Sequence, residues 1–311
     1  MNSKVQLSAF IKQEAAALGF ETCGIAPAIQ LLEDKIHLDM WLQKGFHAGM
    51  DYMQKHAELR VNPDLLVESA KSVIVFLYNY YPAKMMDGDT GYLVSSYAYG
   101  KDYHEVIREK LNILISKLKE QLPEISIRGF VDSAPVLERA WATRAGLGWI
   151  GKNSMLISRK KGSYFFISEL ITDIELEYDQ PMGGDYCGEC SRCMDACPTG
   201  AITGLREVDA NKCISYLTIE NKGEIPDNFK GAYKKWIFGC DICQQVCPWN
   251  RYSSPHNEPA FEPLPLLMEI DKEGWEKMEQ DQFSHLFRKS AVKRAKFAGL
   301  RRNIDFLSGS E

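Results

Sequence analysis

The stretch Tyr186–Gly200, YCGECSRCMDACPTG, places four cysteines within eleven residues and a proline directly after the last of them. The spacing C-x2-C-x2-C-x3-C-P is typical of chains that bind [4Fe-4S] clusters, in which the fourth cysteine ligates a second cluster. A second run, CDICQQVCP, supplies three more cysteines and also ends on a proline, Pro248. Cys213 lies between the two runs and can supply the ligand that the second run lacks.

The two runs together predict two [4Fe-4S] clusters with crossed ligands. The first cluster takes Cys187, Cys190, Cys193 and Cys247, and the second takes Cys197, Cys213, Cys240 and Cys243. Zinc, which prefers two ligand pairs around one ion, is the alternative. A disulfide framework is disfavoured because nothing in the sequence suggests secretion. The ninth cysteine, Cys23, is expected to be a small buried side chain in a strand.

The bulk composition is that of an ordinary globular protein. The chain has 311 residues, a net charge of −5 and 45% hydrophobic residues, which favours two domains or one domain with an inserted module. The N-terminal residues have the pattern of an amphipathic helix rather than of a signal peptide. No apolar run reaches the roughly 18 residues of a membrane span. We therefore expect a cytoplasmic protein, in which thiols stay reduced.

A long segment precedes the cysteines, and its apolar spacing predicts both helices and strands. The predicted helices are 5–18, 31–55, 102–122 and 133–146, and the predicted strands are 20–25, 71–81 and 125–132. Residues 154–172 have the pattern of a hairpin turning at 160–162, and Ser133 is a candidate helix cap. The fold class is α+β or α/β with a mixed central sheet. Since a simple electron carrier does not need this segment, we expect it to use the electrons.

Two short motifs in this segment suggest ligands that their context does not support. GLGWIG, residues 146–151, fits the dinucleotide pattern, but a helix precedes it where a strand is required. It remains either a helix-ending glycine with a tight loop or a place where backbone approaches a large flat ligand. Asp102-Tyr103-His104 begins like the D-x-H-x-x-G motif of proteins that bind cobalt through histidine, but Ile107 replaces the glycine. Asp102 is instead expected to cap a helix.

The segment RGFVDSAPVLERAWATRAGLGWIGKNSMLI, followed by the two cysteine runs, resembles the epoxyqueuosine reductase family from the first helix to about Arg302. The resemblance implies an α+β fold in which a nitroreductase-like cobalamin-binding domain precedes a ferredoxin-like domain with two [4Fe-4S] clusters. We expect these domains at 1–175 and 176–255, followed by a C-terminal helical segment with a basic tail at 256–311. Longer members continue into a helical-repeat domain, which this chain is expected to lack.

The resemblance also implies a reaction, the reduction of the epoxide of epoxyqueuosine at the wobble position of tRNA to queuosine. Cobalamin, base-off and without a protein ligand to cobalt, is the implied reactive centre, and the clusters relay electrons to it. The family's proton donor matches Asp132 in VDSAP, a position at which a helix cap is the alternative. A helix N-terminus lowers the pKa of a carboxyl group, whereas burial beneath the corrin raises it.

The remaining predicted cofactor contacts match stretches that face cobalamin in this family. Besides Asp132 they are Arg60, Tyr97, Tyr103, His104, Lys152, Asn153, Ser154, Met155, Ser168, Glu169 and Ser215. An ordinary surface or core role is the alternative for each of them. Glu138 and Arg139 are expected to pair with neighbours along their helix.

The basic segment Arg288–Arg302, RKSAVKRAKFAGLRR, has seven cations and no acidic residue, which predicts contacts to the phosphates of tRNA. A solvated helix face is the alternative. Trp249 is expected either to stack on a base or to be buried against a cluster. The other expected partner is a reduced electron donor such as ferredoxin or flavodoxin, acting on a monomer. The competing functions are a small-molecule reductive dehalogenase and a ferredoxin-type carrier.

Overall fold

The structure is a computed structural model in which residues 3–89 and 91–309 are described. The helices are α1 Lys4–Ala17, α2 Leu32–Gln43, α3 Tyr52–Lys55, α4 Ala57–Val61, α5 Tyr103–Gln121, α6 Glu138–Arg144, α7 Arg192–Asp195, α8 Ile214–Ile219, α9 Ile242–Gln245, α10 Pro265–Glu269, α11 Lys272–Glu276, α12 Gln280–Leu286 and α13 Lys296–Ser308. The strands are β1 Thr22–Pro27, β2 Ser72–Asn79, β3 Leu93–Val94, β4 Ile127–Phe130, β5 Trp149–Ile150, β6 Leu156–Ile157, β7 Phe165–Thr172, β8 Ile202–Gly204, β9 Glu207–Val208 and β10 Trp236–Phe238. No helix within these ranges is long and apolar enough to cross a membrane.

The main sheet has the strand order β1-β2-β7-β4, and every pair of neighbours in it is antiparallel. The predicted mixed central sheet is therefore wrong, since the described parallel pairing joins only the short strands β3 and β10. The buried apolar run of β2 predicts a central strand correctly. Such a run is typical of parallel sheets but also of any strand covered on both faces, so it does not reveal direction.

Helices cover both faces of this sheet. On one face α1 and α5 pack against Ile74, Phe76 and Leu170, and the buried residues of α5 recur at the predicted helical spacing. On the other face α6 packs against Val73, Val75 and Ile171. The sheet is therefore the middle layer of an α+β unit, and the C-terminal end of β4 leads directly to the candidate site.

Two predicted elements in the segment between β4 and β7 are only partly confirmed. The helix predicted for 133–146 begins only at Glu138, and the hydroxyl of Ser133 donates to the carbonyl oxygen of Val131 rather than capping a helix. A residue before proline is disfavoured in the helical conformation, which explains why Pro135 ends up in an irregular turn. The hairpin predicted for 154–172 is formed only at its turn, where Ser158 and Gly162 make an antiparallel bridge, because β6 pairs with β5 while β7 pairs with β2 and β4.

The C-terminal helices share one apolar core with the cysteine-rich region. This core joins Tyr92 and Val94 to α8, β10 and the buried side of α13. The side-chain amide of Asn303 in α13 donates to the carbonyl oxygens of Thr218 and Ile237, both at 2.8 Å. The segment after residue 255 is therefore fixed to the cysteine-rich region by buried contacts, while the predicted boundaries at 175 and 255 stay predictions.

Candidate active site and cluster site

Asp132 stands at the centre of the candidate active site, in a turn that follows β4. Its φ of 52° lies in the left-handed region, which costs a non-glycine residue about 1–3 kcal/mol. The backbone N–H of Asp132 donates to Oε1 of Glu138 at 2.6 Å, and this bond holds the turn. Its carboxylate accepts a hydrogen bond from the hydroxyl of Tyr103 and lies 3.3 Å from Nε2 of His104. The side chain nevertheless remains 52% exposed, so the carboxylate is accessible to a ligand.

A set of charged residues supports His104 from behind. Asp102 caps α5 as predicted, accepting the backbone N–H of His104, and its Oδ1 lies 3.0 Å from Nδ1 of the same ring. Arg294, from the basic segment, places Nη2 2.7 Å from that Nδ1 and Nη1 4.0 Å from the Asp132 carboxylate. Both ring nitrogens of His104 therefore face protein partners.

The hydrogen bonds around His104 shift the pKa values of Asp102, Asp132 and His104 itself. Burial opposes ionisation of Asp102, but the bond with His104 and the charge of Arg294 outweigh it and lower the pKa of Asp102 to about 2. Burial also opposes ionisation of Asp132, but the bonds from His104 and Tyr103 lower its pKa. For His104, burial lowers the pKa while Asp102 and Asp132 raise it, and the net direction is upward. The two carboxylates thus favour the protonated form of His104, while burial and the charge of Arg294 oppose it.

Two carboxyl groups lie on the other side of Asp132. Burial, and then the charge of Asp132, raises the pKa of Glu138 to about 8. Glu169 in β7 is fully buried, and burial together with Glu138 and Asp132 raises its pKa well above the ordinary value. Burial lowers the pKa of both Arg60 and Arg139, although the neighbouring carboxylates oppose this shift. This side of the site therefore favours neutral carboxyl groups.

Several buried polar atoms in this region have no hydrogen-bond partner among the described residues. They include Nε of Arg60, Oγ of Ser154 and both carboxyl oxygens of Glu169. Leaving a buried polar group unpaired costs about 1–3 kcal/mol, so such groups normally find a partner. Their concentration around Asp132 indicates a site that accommodates a ligand with hydrogen-bonding groups.

The loop that follows β5 joins this site to the cysteine-rich region. The ammonium group of Lys152 donates to the carbonyl oxygen of Gly188 at 2.7 Å, and the amide of Asn153 lies 3.4 Å from the carbonyl oxygen of Cys243. The carbonyl oxygen of Ser154 accepts a hydrogen bond from Arg139 at 2.5 Å. The predicted residues 152–155 therefore lie between Asp132 and the cysteines.

Other predicted contacts lie further from Asp132 or on another face. Ser168 is buried opposite Phe76, on the face of the sheet that α1 and α5 cover, whereas Glu169 points to the face that α6 covers. Ser215 lies in α8 beside Cys213, and Tyr97 packs its ring against those of Tyr103 and Phe238. The structure therefore does not bring Ser168 to the same surface as Glu169.

The glycines of GLGWIG are explained by backbone packing. Gly146 follows α6 with a φ of 76°, and a Cβ at Gly148 would lie 2.2 Å from the carbonyl oxygen of Ile157. A helix precedes these glycines and the β5–β6 pair follows, so the order that a dinucleotide site needs is absent from this described segment. Of the two interpretations that the sequence left open, the helix-ending glycine with a tight loop is the one observed.

The cysteine thiols form two groups of neighbours. Burial raises the pKa of Cys193, and the nearby thiols of Cys247, Cys187 and Cys190 raise it further. Burial raises the pKa of Cys240 to about 12, with smaller contributions from Asp241, Cys213 and Cys197. Cys243 interacts with Cys240 and Cys213 in the same sense. No group of three or more His, Cys, Asp or Glu side chains within the described ranges is arranged to bind a single metal ion.

Buried polar side chains fix the backbone around Cys247. Asn250 accepts the backbone N–H of Ser163 at 2.7 Å and donates to the carbonyl oxygen of Gln244, also at 2.7 Å. The amide of Gln244 donates in turn to the carbonyl oxygen of Ser163 at 3.1 Å. The segment that carries Cys243 and Cys247 is therefore tied to the residues that precede β7. Cys23 lies in β1 as predicted, but it is only partly buried.

Some cations of the basic segment bind other parts of the protein, while the phosphate contacts that its composition predicts stay a prediction. Arg302 donates to the carbonyl oxygens of Leu217, Asn221 and Gly223, and Arg301 pairs with Asp305. These cations serve the fold, and Arg294 serves the site. Arg288, Lys289 and Lys296 are also exposed, and Lys293, likewise exposed, pairs with Asp102 and Glu105.

Three site residues escaped the sequence analysis. The sequence predicts Arg294 only as a phosphate contact, and Glu138 only as a residue that pairs with neighbours along its helix. Tyr52, whose ring lies 5.8 Å from the guanidinium carbon of Arg60, was not considered. Glu138 lies six residues after Asp132, a separation that could have indicated contact across a turn. Nothing in the sequence relates Arg294 or Tyr52 to Asp132.

Comparison with known proteins defines the class of the protein and then its family. Residues 186–250 match a family model described as a 4Fe-4S double cluster binding domain, so this is an α+β iron–sulfur protein. Residues 60–133 match the model described as Epoxyqueuosine reductase QueG, DUF1730. An epoxyqueuosine reductase of Cellulophaga algicola is 52% identical over 307 residues, covering 99% of this chain and 100% of that protein. The chain belongs to the epoxyqueuosine reductase family, whose members are oxidoreductases.

Solved structures of the family have the same fold. A crystal structure of epoxyqueuosine reductase with an epoxyqueuosine-modified tRNA-Tyr stem loop superimposes with a TM-score of 0.90 at 32% identity, over 98% of this chain and 81% of that chain. A structure of the Bacillus subtilis enzyme, described with its catalytic aspartate loop swung out of the active site, gives a TM-score of 0.90 at 31% identity, with the same coverages.

Proposed function

We propose that the protein reduces the epoxide of epoxyqueuosine in tRNA to the alkene of queuosine. The observation that carries the proposal is the accessible Asp132 carboxylate, held by Tyr103 and His104 beside unpaired buried polar groups, in a chain of this family. The reaction consumes two electrons and two protons, breaks both C–O bonds of the epoxide, and releases the oxygen as water. The protein must therefore supply electrons from one side of the site and protons from the other.

The electrons are supplied by the cysteine-rich region, for which we propose two [4Fe-4S] clusters. The proposal is supported by the proximity of Cys193 to Cys187, Cys190 and Cys247 and of Cys240 to Cys197 and Cys213, although Cys243 is also near Cys193 of the other predicted set. The double-cluster family model supports this number. The bonds from Lys152 and Asn153 to the cysteine loops hold this region against the site. We place the domain boundaries at the predicted positions, 175 and 255.

The residues around Asp132 fit a cobalamin in a nitroreductase-like domain. The corrin carries amide side chains, which can pair with the unpaired atoms of Arg60, Ser154 and Glu169. When bound, this group supplies a cobalt centre that transfers electrons to the substrate. Nδ1 of His104 faces Asp102 and Arg294, and Nε2 lies 3.3 Å from the Asp132 carboxylate although it makes no hydrogen bond. We propose that this carboxylate, rather than cobalt, is the partner of Nε2. This agrees with a base-off cofactor without a protein ligand.

Asp132 and His104 supply the protons. The Asp132 carboxylate is half exposed, and Nε2 of His104, whose pKa is raised, lies 3.3 Å from it. A proton held by His104 passes to the Asp132 carboxylate, and the carboxyl group so formed donates it to the oxygen of the opening epoxide. A charge pair of this kind keeps a proton available although the pKa of Asp132 itself is lowered.

Transfer RNA is the proposed substrate, since a relative was solved with an epoxyqueuosine-modified stem loop. Arg288, Lys289 and Lys296 are exposed and offer phosphate contacts. The relative's chain extends beyond the match, which covers 81% of it. We propose that the described surface cations hold the tRNA backbone while the modified base enters the site.

The proposed function is tested by anaerobic incubation of the reconstituted protein with cobalamin, dithionite and tRNA that contains epoxyqueuosine. Mass spectrometry of the nucleosides is expected to show queuosine at the expense of epoxyqueuosine. Omission of cobalamin is the control and is expected to abolish the product. The proposal is wrong if protein with about eight irons per chain and bound cobalamin forms no queuosine.

A further inference from the structure

A groove lies next to the first group of cysteines, on the surface of the protein. It encloses about 970 Å³ between Tyr81 and Tyr164 on one side and the segments 192–196 and 245–251 on the other. Cys247, a predicted ligand of the first cluster, is among the residues that line it. A molecule seated in this groove therefore comes into contact with the backbone that holds that cluster.

The first group of cysteines is nearer to solvent than the second. Its neighbours Gly188, Glu189, Ser191 and Arg192 are all exposed. The second group is flanked by buried residues, among them Ile214, Asp241 and Ile242. Electrons that arrive from outside the protein therefore meet the first group before the second.

The charges of the groove favour an acidic partner. Arg192 and Arg251 line it and are both exposed, and the guanidinium of Arg251 stacks 4.6 Å above the ring of Tyr252. The acidic residue of the lining, Asp195, accepts a hydrogen bond from Ser191 at 2.6 Å. Two arginines against one carboxylate give the groove a net positive charge, which attracts acidic surfaces.

We propose that this groove is the docking site of an acidic protein that donates single electrons to the first cluster. The inference rests on the proposed function, because that reaction consumes electrons that the chain does not generate. Each encounter oxidises the donor by one electron and reduces the cluster by one, and two encounters supply the pair that breaks the epoxide. An RNA backbone also complements arginines, but it carries no electron, and a cluster ligand lines this groove.

The experiment measures how fast a reduced, purified flavodoxin reduces the clusters of the complete enzyme, followed anaerobically by the loss of cluster absorbance. Arg192→Glu and Arg251→Glu are compared with the wild type at several salt concentrations. Lys119→Glu, an exposed residue of α5 outside the groove, makes the same change in net charge and is the control. Reduction by dithionite, followed by queuosine formation, is measured for each protein.

The two groove variants are expected to slow reduction by flavodoxin about tenfold at low salt and to weaken its salt dependence. Reduction by dithionite, queuosine formation with dithionite, and all rates of Lys119→Glu are expected to stay within about twofold of the wild type. Loss of dithionite-driven queuosine formation in the wild type would count against the proposed function rather than against the groove.

Three results overturn the docking site. The first is unchanged reduction by flavodoxin in both groove variants. The second is weaker tRNA binding by those variants with an unchanged rate of reduction, which would make the groove an RNA surface. The third is a wild-type enzyme that dithionite reduces but that neither flavodoxin nor a reduced acidic ferredoxin reduces.

Discussion

The two sides of Asp132 contain the same kinds of charged group, yet they stabilise opposite protonation states. On the side of α5, Tyr103, His104 and Arg294 point donors or positive charge at the Asp132 carboxylate, and its pKa is lowered. On the side of α6, Glu138 is half-buried and Glu169 is buried, and their pKa values are raised. Burial acts on all three carboxyl groups, so the hydrogen bonds from Tyr103 and His104 make the difference. The hydrogen-bond donors that face a carboxyl group, rather than its residue type, therefore determine which carboxyl group carries charge.

The largest effect is expected where the two sides meet. Asp132→Asn keeps the size of the side chain but removes the transferable proton, so queuosine formation is expected to fall by about 10²–10⁴-fold. Cobalamin binding, followed by the visible spectrum, is expected to persist because the unpaired atoms of Arg60 and Glu169 are untouched. Turnover at the wild-type rate would remove Asp132 from its proposed role.

Removal of one cation tests the charged side. Arg294→Gln is expected to lower the rate about 10- to 100-fold, since the Asp132 carboxylate loses a group that orients its partner His104. Because Arg294 helps to lower the pKa of Asp132, the pH at which Asp132 loses its proton is expected to rise in the variant.

The pH–rate profile separates this effect from a loss of fold. Arg294→Lys is expected to restore part of the rate because it keeps the charge. Lys119→Gln, at an exposed position of α5 to which no role is assigned, is expected to behave as the wild type. A reduced rate with an unshifted profile would show that Arg294 only stabilises the fold.

The neutral side is tested through stability. The folded pKa of Glu138, about 8, lies above the ordinary value, so its contribution is fully present below about pH 4 and is lost as the pH rises toward 8. Glu138→Gln has no carboxyl group to ionise at this position, so the variant does not lose stability there as the pH rises toward 8. The variant is expected to gain roughly 2–4 °C in Tm over the wild type between pH 5 and pH 8.

The groups that face Glu138 bear on this measurement. They are Asp132, which donates its backbone N–H, Arg60 and Arg139, which favour its charged form, and Glu169. Thermal unfolding of the cluster-loaded protein at several pH values gives the result. A Tm difference that does not change with pH would mean that Glu138 is ionised throughout this range.

The smallest effect is expected on the outer surface of the same segment. Lys289→Gln is expected to weaken tRNA binding a few-fold and to reduce the slope of log affinity against log salt by about 1. Arg302→Gln removes bonds to three carbonyl oxygens and is expected to lower Tm while leaving that slope unchanged. Filter binding at several salt concentrations distinguishes the two, and equal slopes for all proteins would exclude Lys289 from the interface.

The sequence correctly predicted the elements that are determined by residues close together in the chain. The spacing of the cysteines predicted the iron–sulfur domain, the apolar repeat of α5 predicted that helix, and Asp102 caps it as expected. The direction of the strands was predicted wrongly, because pairing partners are chosen across the chain. Helix α6 begins later than predicted partly for a local reason, the proline at position 135. The hydrogen bond from the backbone N–H of Asp132 to Glu138 also holds the turn that precedes this helix, and the sequence pattern does not reveal that bond.

The site was only partly predictable for the same reason. Arg294 lies 162 residues beyond Asp132 in the chain, and its role depends on the packing of the C-terminal helices. The opposite orientation of Ser168 and Glu169 was predictable, since the two residues are consecutive in a strand. The resemblance to the family supplied Asp132 as the proton donor, where the local pattern favoured a helix cap.

The polar bonds among Ser163, Gln244 and Asn250 bear on how the protein acquires its iron. They involve only amide, hydroxyl and backbone groups, so they form without metal. The peptide around Cys243 and Cys247 is thereby held in place in the apoprotein. We therefore expect the clusters to be inserted into a peptide conformation that already exists. Chelation of the iron is expected to remove the clusters without unfolding the main sheet.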